Sequence, residues 1–386
     1  ILRKITLPLV LPAILSAVIL TFSKAIGTFG TINYLGSPVQ YYTLSSQLYM
    51  NINSRDTQTG FAMAILMIII ASIAVFVNQK LIGSRKSYAT IGGKGGRSTL
   101  IGLGKVGRPV ITAALFVFFA VGIIMPIVIL VMESFMLKEG IYSLDNFTLH
   151  YWIGESNPQI MEGLPGIFKN DEFINSLFNS LRLTLVNGVF GTIFGQLLGY
   201  ITAKGRGRLH GKLVEQLVFI PYLIPSVAFG GIYLSMFSQP QQIFGVTLVP
   251  ALYGTFALLT LVSVVKHLPF AARAGTSNML QISGELEEAA TIEGAGFFRR
   301  FVKIVFPLSK GGFISGFMLI FVSIMKELDL IILIMTPTTS TLPYLAFRYQ
   351  NGNSPQASDC VAIVMFSIVF LVYAIANLSG KADLAK

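Results

Sequence analysis

Runs of about twenty mainly apolar residues recur along this chain between short charged loops, and no single motif constrains the fold as strongly. A helix needs about 20 such residues to cross a hydrocarbon core of about 30 Å. Lipid offers no hydrogen bonds, so each crossing segment must satisfy its own backbone, which a helix does. Spans are expected near 9–34, 61–82, 110–132, 177–203, 213–237, 246–265, 311–335 and 359–379. Composition agrees, because 53% of the 386 residues are hydrophobic and only 12% are charged. A soluble domain carries about 25% charged residues. The expected fold class is an all-α polytopic membrane protein with about eight transmembrane helices.

Charge in the loops orients such a chain, since Lys and Arg stay on the cytoplasmic side. Segment 80–108 holds Lys80, Arg85, Lys86, Lys94, Arg97, Lys105 and Arg108 without an acid. Segments 204–212 and 266–310 are also basic, the latter through Lys266, Arg273, Arg299, Arg300, Lys303 and Lys310. Loop 134–176 instead carries Glu139, Asp145, Glu155, Glu162, Asp171 and Glu172 against Lys138 and Lys169. Eight crossings with this pattern put the basic loops and both ends in the cytoplasm, and the acidic loop outside. The net charge of +11 is spread between apolar runs, so a nucleic-acid partner is not expected. Membrane lipid is.

Few residues are available for chemistry. Cys360 is the single cysteine and the histidines are His150, His210 and His267, too few for a protein-built metal cage. His150 falls in the outer loop and the other two at cytoplasmic edges of spans, so an intramembrane enzyme has no evident nucleophile–base pair. No catalytic residue, metal site or resident cofactor is expected.

The chain repeats itself. Lys4-Ile5-x-x-Pro8-Leu9 matches Lys303-Ile304-x-x-Pro307-Leu308 at an offset of 299, each leading into a span. After a small slip Leu44 matches Leu342, and Ala64-Ile65 matches Ala362-Ile363. The first residue is Ile1 and no signal-peptide pattern opens the chain. Duplication then implies that roughly 190 residues of a first half precede residue 1. The expected organisation is a remnant of that half over 1–82, a basic Gly-rich cytoplasmic linker over 83–109, and a six-helix second half over 110–386 with its core at 177–379. Within the linker, Gly92-Gly93-Lys94-Gly95-Gly96-Arg97-Ser98 superficially resembles a phosphate loop, but Ile91 and Arg97 stand where that loop needs glycine and lysine. The linker reads as a basic segment near anionic headgroups. If ATP drives this protein, another chain binds it.

The segment from Ser283 to Gly296 is the most informative. Ser283 suits an N-cap, and Glu285 and Glu287 fall in a first turn where the helix dipole favours anions. Gly294 and Gly296 stop the helix. A second piece carries Phe297, Phe301, Ile304 and Leu308 at helical spacing, and Pro307 marks the return to the membrane. A short helix with small residues at Ala289, Ala290 and Ala295 is thus offered to the cytoplasm, open to close approach by another surface.

Glu288-Ala289-Ala290-x-x-Glu293-Gly294-Ala295, followed by Phe301, Ile304 and Pro307, resembles the EAA loop of binding-protein-dependent ABC importer permeases. The usual acid before the glycine is Asp, and Glu293 replaces it here. The resemblance implies that Glu288, Ala289, Ala290, Glu293, Gly294, Ala295 and Pro307 belong to a coupling loop docking on a separate ABC ATPase. Two ATPase subunits would serve the complete protein, with ATP and Mg on them, and an extracytoplasmic substrate-binding protein would deliver cargo. Tyr88-x-Thr90-Ile91-x-Gly93-Lys94-Gly95, Asn179-Ser180-Leu181, Ile220-Pro221-Tyr222-x-Ile224-Pro225 and Leu268-Pro269-Phe270-x-x-Arg273 resemble the ferric-iron branch, whose permeases are often fused double-length chains. Related branches carry polyamines, thiamine, sulfate or phosphonates. The implied place is the bacterial cytoplasmic membrane.

Charges inside spans need an explanation, since a Lys or Asp at a helix centre costs roughly 2.5–3.5 kcal/mol on insertion scales. Lys326, Glu327 and Asp329 lie late in the expected span 311–335. Lys326 and Asp329 are three apart and can pair, giving either a neutralised structural cluster or a pathway lining whose carboxylates attract a cation. Lys24 in the matching helix has no acid nearby in sequence and is expected to face its partner helix or snorkel. Gly191, Gly195 and Gly199 form one smooth stripe for helix packing, expected between the two halves. A secondary transporter using Glu327 or Asp329 is the rival of another class; it leaves the loop at 283–296 without a purpose.

Overall fold

A computed structural model describes residues 24–83, 102–352 and 354–384, together with 14, 18, 21 and 22. The Lys4–Leu9 arm of the repeat, most of linker 83–109 and the first part of span 9–34 lie outside the described residues.

The described chain is almost entirely helical. Helices α1 (Gly30–Gly36), α2 (Leu44–Asn53) and α3 (Thr57–Gly83) come first. A 30-residue helix, α4 (Gly104–Glu133), follows and passes through a π turn at Ala120–Ile124. The second part is built on α5 (Asp171–Lys204), α6 (Leu209–Leu223), α7 (Ser226–Phe237), α8 (Phe256–Met279), α9 (Gly284–Ile292), α10 (Phe297–Leu308), α11 (Lys310–Met325), α12 (Leu342–Asn351) and α13 (Pro355–Leu384). Among the described residues five helices are long and apolar enough to cross a membrane, or up to seven if each bent pair is one span. The expected eight are therefore not all found there.

Three expected spans are redrawn. The run at 246–265 is divided: Val246–Val249 pairs antiparallel with Gln241–Ile243 as a hairpin, and the helix starts only at Phe256. Thr255 sets that start, its hydroxyl accepting the Leu258 N–H at 3.3 Å. The run at 213–237 bends by 98° between α6 and α7. Pro225 explains the bend, because a residue before proline is pushed out of the helical region, and Ile224 sits at φ −77°, ψ 129°. The run at 311–335 is helical only to Met325; residues 326–335 form turns whose Leu330, Ile331 and Ile334 are buried.

α5 is the axis of the second part. Asn170 caps it by accepting the Glu172 N–H at 2.9 Å, Asp171 and Glu172 fill its first turn, and Lys204 fills its last. Its glycine stripe lies against α8 and α11. A Cβ at Gly195 would come within 2.7 Å of Ala271 C, one at Gly199 within 2.6 Å of Gly275 C, and one at Gly191 within 2.8 Å of Ile320 Cδ1. Small side chains let helix backbones approach this closely, which matters where lipid provides no hydrophobic drive between helices. The stripe was expected between the halves; the space is instead filled by helices of the same second part.

The first part repeats a corner of the second. α2 and α12 are each 10 residues long and begin 298 residues apart, as do α3 and α13. α3 and α2 pack on α7 through a core of Phe29, Leu48, Met67, Val227, Ala228 and Ile332. A separate core joins loop 134–176 to α12 and α13, with Tyr151, Ile167 and Phe173 against Leu345, Tyr349 and Cys360.

Candidate functional site

Two places bring the singled-out residues together. The first is the corner around α9. Ser283 Oγ accepts the Glu285 N–H at 3.3 Å and opens the helix. At its end Ala295 N donates to Ala290 O at 2.9 Å and Gly294 N to Thr291 O at 3.0 Å. That crossed pair is a Schellman stop, which needs a left-handed residue, and Gly294 has φ +79°. Glu288, Ala289, Glu293 and Gly294 are exposed, Ala290 and Ala295 half-buried, and Pro307 is exposed in α10. Ile292 beside them is 85% exposed, leaving an apolar residue on an acidic corner.

Glu287 does not share this exposure. It is 8% exposed and turned toward the end of α5. Tyr200 donates its hydroxyl to Glu287 Oε2 at 2.6 Å, and Lys204 Nζ stands 2.6 Å from Oε1. Burial pushes the Glu287 carboxyl upward, but the hydrogen bonds from Lys204 and Tyr200 outweigh it and hold the group below the usual glutamate range. The Tyr200 ring also meets Phe297 and Phe301, each with centroids 5.7 Å away. A single carboxylate thus ties α9 to the longest span. The first-turn acid pattern foretold the dipole interaction but not this tether, because α5 and α9 are far apart in sequence.

The second place is a cavity of about 590 Å³ between the segment around Lys24–Tyr34 and helices α7, α8, α11, α12 and α13. Lys326, Glu327 and Asp329 all line it, as do Lys24, Lys266 and His267. Their pairing differs from the expected one. Asp329 Oδ1 accepts the Gly30 N–H at 2.9 Å, and Glu327 takes His267 Nε2 at 3.3 Å and the Leu330 N–H at 3.0 Å. The helix ends at Met325, so the three-residue spacing no longer places Lys326 and Asp329 on one face. Lys326 is exposed toward the cavity. Lys24, expected to face a helix or snorkel, lines the same space within electrostatic reach of Asp329.

Two further expectations change. Lys266 and Arg273 were placed in a basic loop, and His267 at a membrane edge; all three lie within α8. His267 is buried there, and Lys266 Nζ donates to the carbonyls of Pro221, at 2.9 Å, and Ile224. Breaking α6 from α7 strands carbonyl oxygens at the end of α6, and the ammonium satisfies them. Pro225 is the sequence signal from which the break could have been found, although 213–237 was expected as one span; the lysine that satisfies it is 45 residues from Pro221. Among the described residues no group of three His, Cys, Asp or Glu side chains could hold a metal ion.

A sequence model of the binding-protein-dependent transport system inner membrane component matches residues 1–88 and 191–382. The chain belongs to this family. A ferric transport system permease protein of Actinobacillus pleuropneumoniae is 22% identical over 378 residues, covering 95% of this chain and 51% of its own length. A sulfate transport system permease protein of Synechocystis is 26% identical over 53% of this chain and 71% of its own. A molybdate/tungstate permease protein of Pyrococcus abyssi is 27% identical over 54% of this chain and 79% of its own. The chain spans about half the length of the ferric relative. A bacterial ABC transporter that imports alginate has a similar fold, with TM-score 0.57 and 16% identity over 71% of this chain and 95% of that one. The fold is that of an ABC importer transmembrane subunit, and the family is an inner-membrane transport component.

Proposed function

We propose that this chain forms part of the pore of an ATP-driven importer, with α9 as the helix on which a separate ATPase pushes. The observation that carries the reading is the α9 corner: an exposed acidic helix, ended by a Schellman stop and tethered through Glu287 to α5. A surface helix that only lay on lipid would not need a buried tether. Movement of α9 is passed to α5 and, through the glycine stripe, to α8 beside the cavity. The subunit performs no bond chemistry; ATP and Mg sit on two ATPase subunits, and a binding protein delivers cargo on the far side. The basic ends of α5 and α10 support a cytoplasmic α9 and cytoplasmic chain ends. The paired α2–α3 and α12–α13 corners support two permease halves, with 1–82 ending the first and 110–386 forming the second. Ferric iron is the cargo favoured by the relative matching most of the chain; polyamine, thiamine, sulfate and phosphonate are the alternatives within the same machinery.

A secondary transporter using Glu327 and Asp329 is disfavoured, because each carboxylate already accepts a backbone N–H. The decisive experiment is Ala289→Arg in the natural full-length polypeptide. Ala289 is exposed, so the fold tolerates the change, while a docked surface does not. Membrane abundance should hold, and ATPase co-purification and uptake should fall together. Uptake that persists without ATP and collapses with the proton gradient would instead establish the secondary transporter.

A further inference from the structure

The charges lining the cavity point to the sign of what crosses it. His267 Nδ1 lies 2.9 Å from the Ser263 carbonyl oxygen. That oxygen has no proton to give, so Nδ1 carries one. Nε2 then faces Glu327 Oε2 at 3.3 Å inside the protein. Two lone pairs meeting there would repel, so one proton sits on Nε2 or on the carboxyl. In either arrangement the pair is neutral as a unit. Glu327 therefore offers a cation nothing, and its other oxygen is held by Leu330 N.

Among the described residues, four charged groups remain around the cavity: Lys24, Lys266, Lys326 and Asp329. Asp329 is turned to Gly30 N, and Lys266 to the carbonyls ending α6. Three ammonium groups against one carboxylate leave a surplus of two positive charges. Lys24 and Lys326 are exposed, and none of the ion pairs among the described residues involves Lys326. Thr28, Thr31, Ser226 and Ser323 add neutral groups along the wall. An ammonium in a low-dielectric wall attracts an anion over several ångströms, and hydroxyls then donate to its oxygens.

Resting on the importer reading, we propose that this cavity passes its cargo as an anion. The cargo is an oxyanion, or ferric iron enclosed in a net-negative chelate, and not a bare cation. Of the two readings of the Lys326, Glu327 and Asp329 cluster, this departs from the one in which the carboxylates attract a cation.

The test reads the potential of the cavity directly. Ser323→Cys is introduced with Cys360→Ala in the natural full-length polypeptide, purified with its ATPase. Labelling rates are compared for the sulfonatoethyl and trimethylammonioethyl methanethiosulfonates, which are negative and positive. Two positive charges at about 6 Å in a water-filled space should speed the anionic reagent about tenfold and slow the cationic one about tenfold, shifting the rate ratio about a hundredfold relative to a free thiol. Lys24→Met with Lys326→Met removes the surplus and should return the ratio to the free-thiol value. If that double variant does not reach the membrane, Lys326→Gln alone should still lower the ratio about tenfold. Millimolar sulfate, molybdate and ferric citrate are added in separate arms. Protection by either oxyanion assigns an oxyanion cargo, and protection by ferric citrate alone assigns the chelate. Faster labelling by the cationic reagent, a ratio indifferent to the lysines, or protection by none of the three overturns the proposal. ATPase co-purification is scored in the same preparation, and its absence refutes the importer reading whatever the labelling shows.

Discussion

Replacing the stripe glycines one at a time separates backbone contact with α8 from side-chain contact with α11 along a single helix. Carbon atoms rest about 3.5–4.0 Å apart. The Cβ of Gly195→Ala would overlap Ala271 and lie 2.7 Å from Ala271 C and 2.9 Å from Ala272 N. That of Gly199→Ala would lie 2.6 Å from Gly275 C and 2.9 Å from Gly275 Cα. Backbone atoms cannot turn aside, so α5 and α8 would have to separate by about 1 Å along their contact, and overpacking of this kind costs about 1–3 kcal/mol. Gly191→Ala meets only the tip of Ile320, 2.8 Å away, which a rotamer change relieves for about 1 kcal/mol. All three substitutions gain up to about 1 kcal/mol of helix propensity. Gly195→Ala and Gly199→Ala should therefore lose about 1–2 kcal/mol, and Gly191→Ala about nothing. Unfolding in mixed micelles, followed by helical circular dichroism, measures this order. Equal losses at Gly191 and Gly195, or no loss at either Gly195 or Gly199, would refute the backbone-contact argument.

Tyr200→Phe should loosen α9 by about 1.5–3 kcal/mol, because it removes a hydrogen bond to a charged acceptor, whereas Lys204→Met should cost under about 1 kcal/mol, since that lysine is a third exposed; amide exchange across α9 reads both. The Glu287 carboxyl is held below its ordinary 4.5, so its contribution is complete above that pH and fades as pH falls below it. Protease protection of α9 should follow that window in the native chain and lose it in Glu287→Gln. Gly294→Ala has open space around its Cβ but a backbone φ of +79°, so about 1–2 kcal/mol of strain should fray the end of α9, visible as faster exchange at Ala295 N. Leu144→Cys is 90% exposed in loop 134–176 and should react with an impermeant thiol reagent in intact cells, whereas Ile292→Cys should not; the reverse pattern would invert the orientation.

Much of the architecture was legible because one solvent governs it. Helix length, loop charge and proline position all follow from the cost of exposing backbone or charge to lipid, which acts on a few neighbouring residues at a time. α3, α4, α5 and α13 consequently fall close to their expected spans. The errors came where a local apolar run had a use other than crossing. Val246–Val249 is apolar yet pairs as a strand, and Leu330–Met335 is apolar yet folds into buried turns. Hydropathy reports that such residues avoid water, not which conformation hides them.

The sequence by itself determined the class, the Ser283 start and Gly294 stop of α9, and a resemblance in the loop that the family match bears out. Each depends on the steric or hydrogen-bonding habits of adjacent residues. Tertiary structure alone decided who meets whom. It gave Glu287 to Tyr200 and Lys204, Glu327 to His267, Asp329 to Gly30, and the carbonyls ending α6 to Lys266. These partners are separated by 42 to 299 residues, and no local rule reaches that far. A buried charge accepts whichever counter-group packing brings within about 3 Å, so its role is set only once the helices are in place.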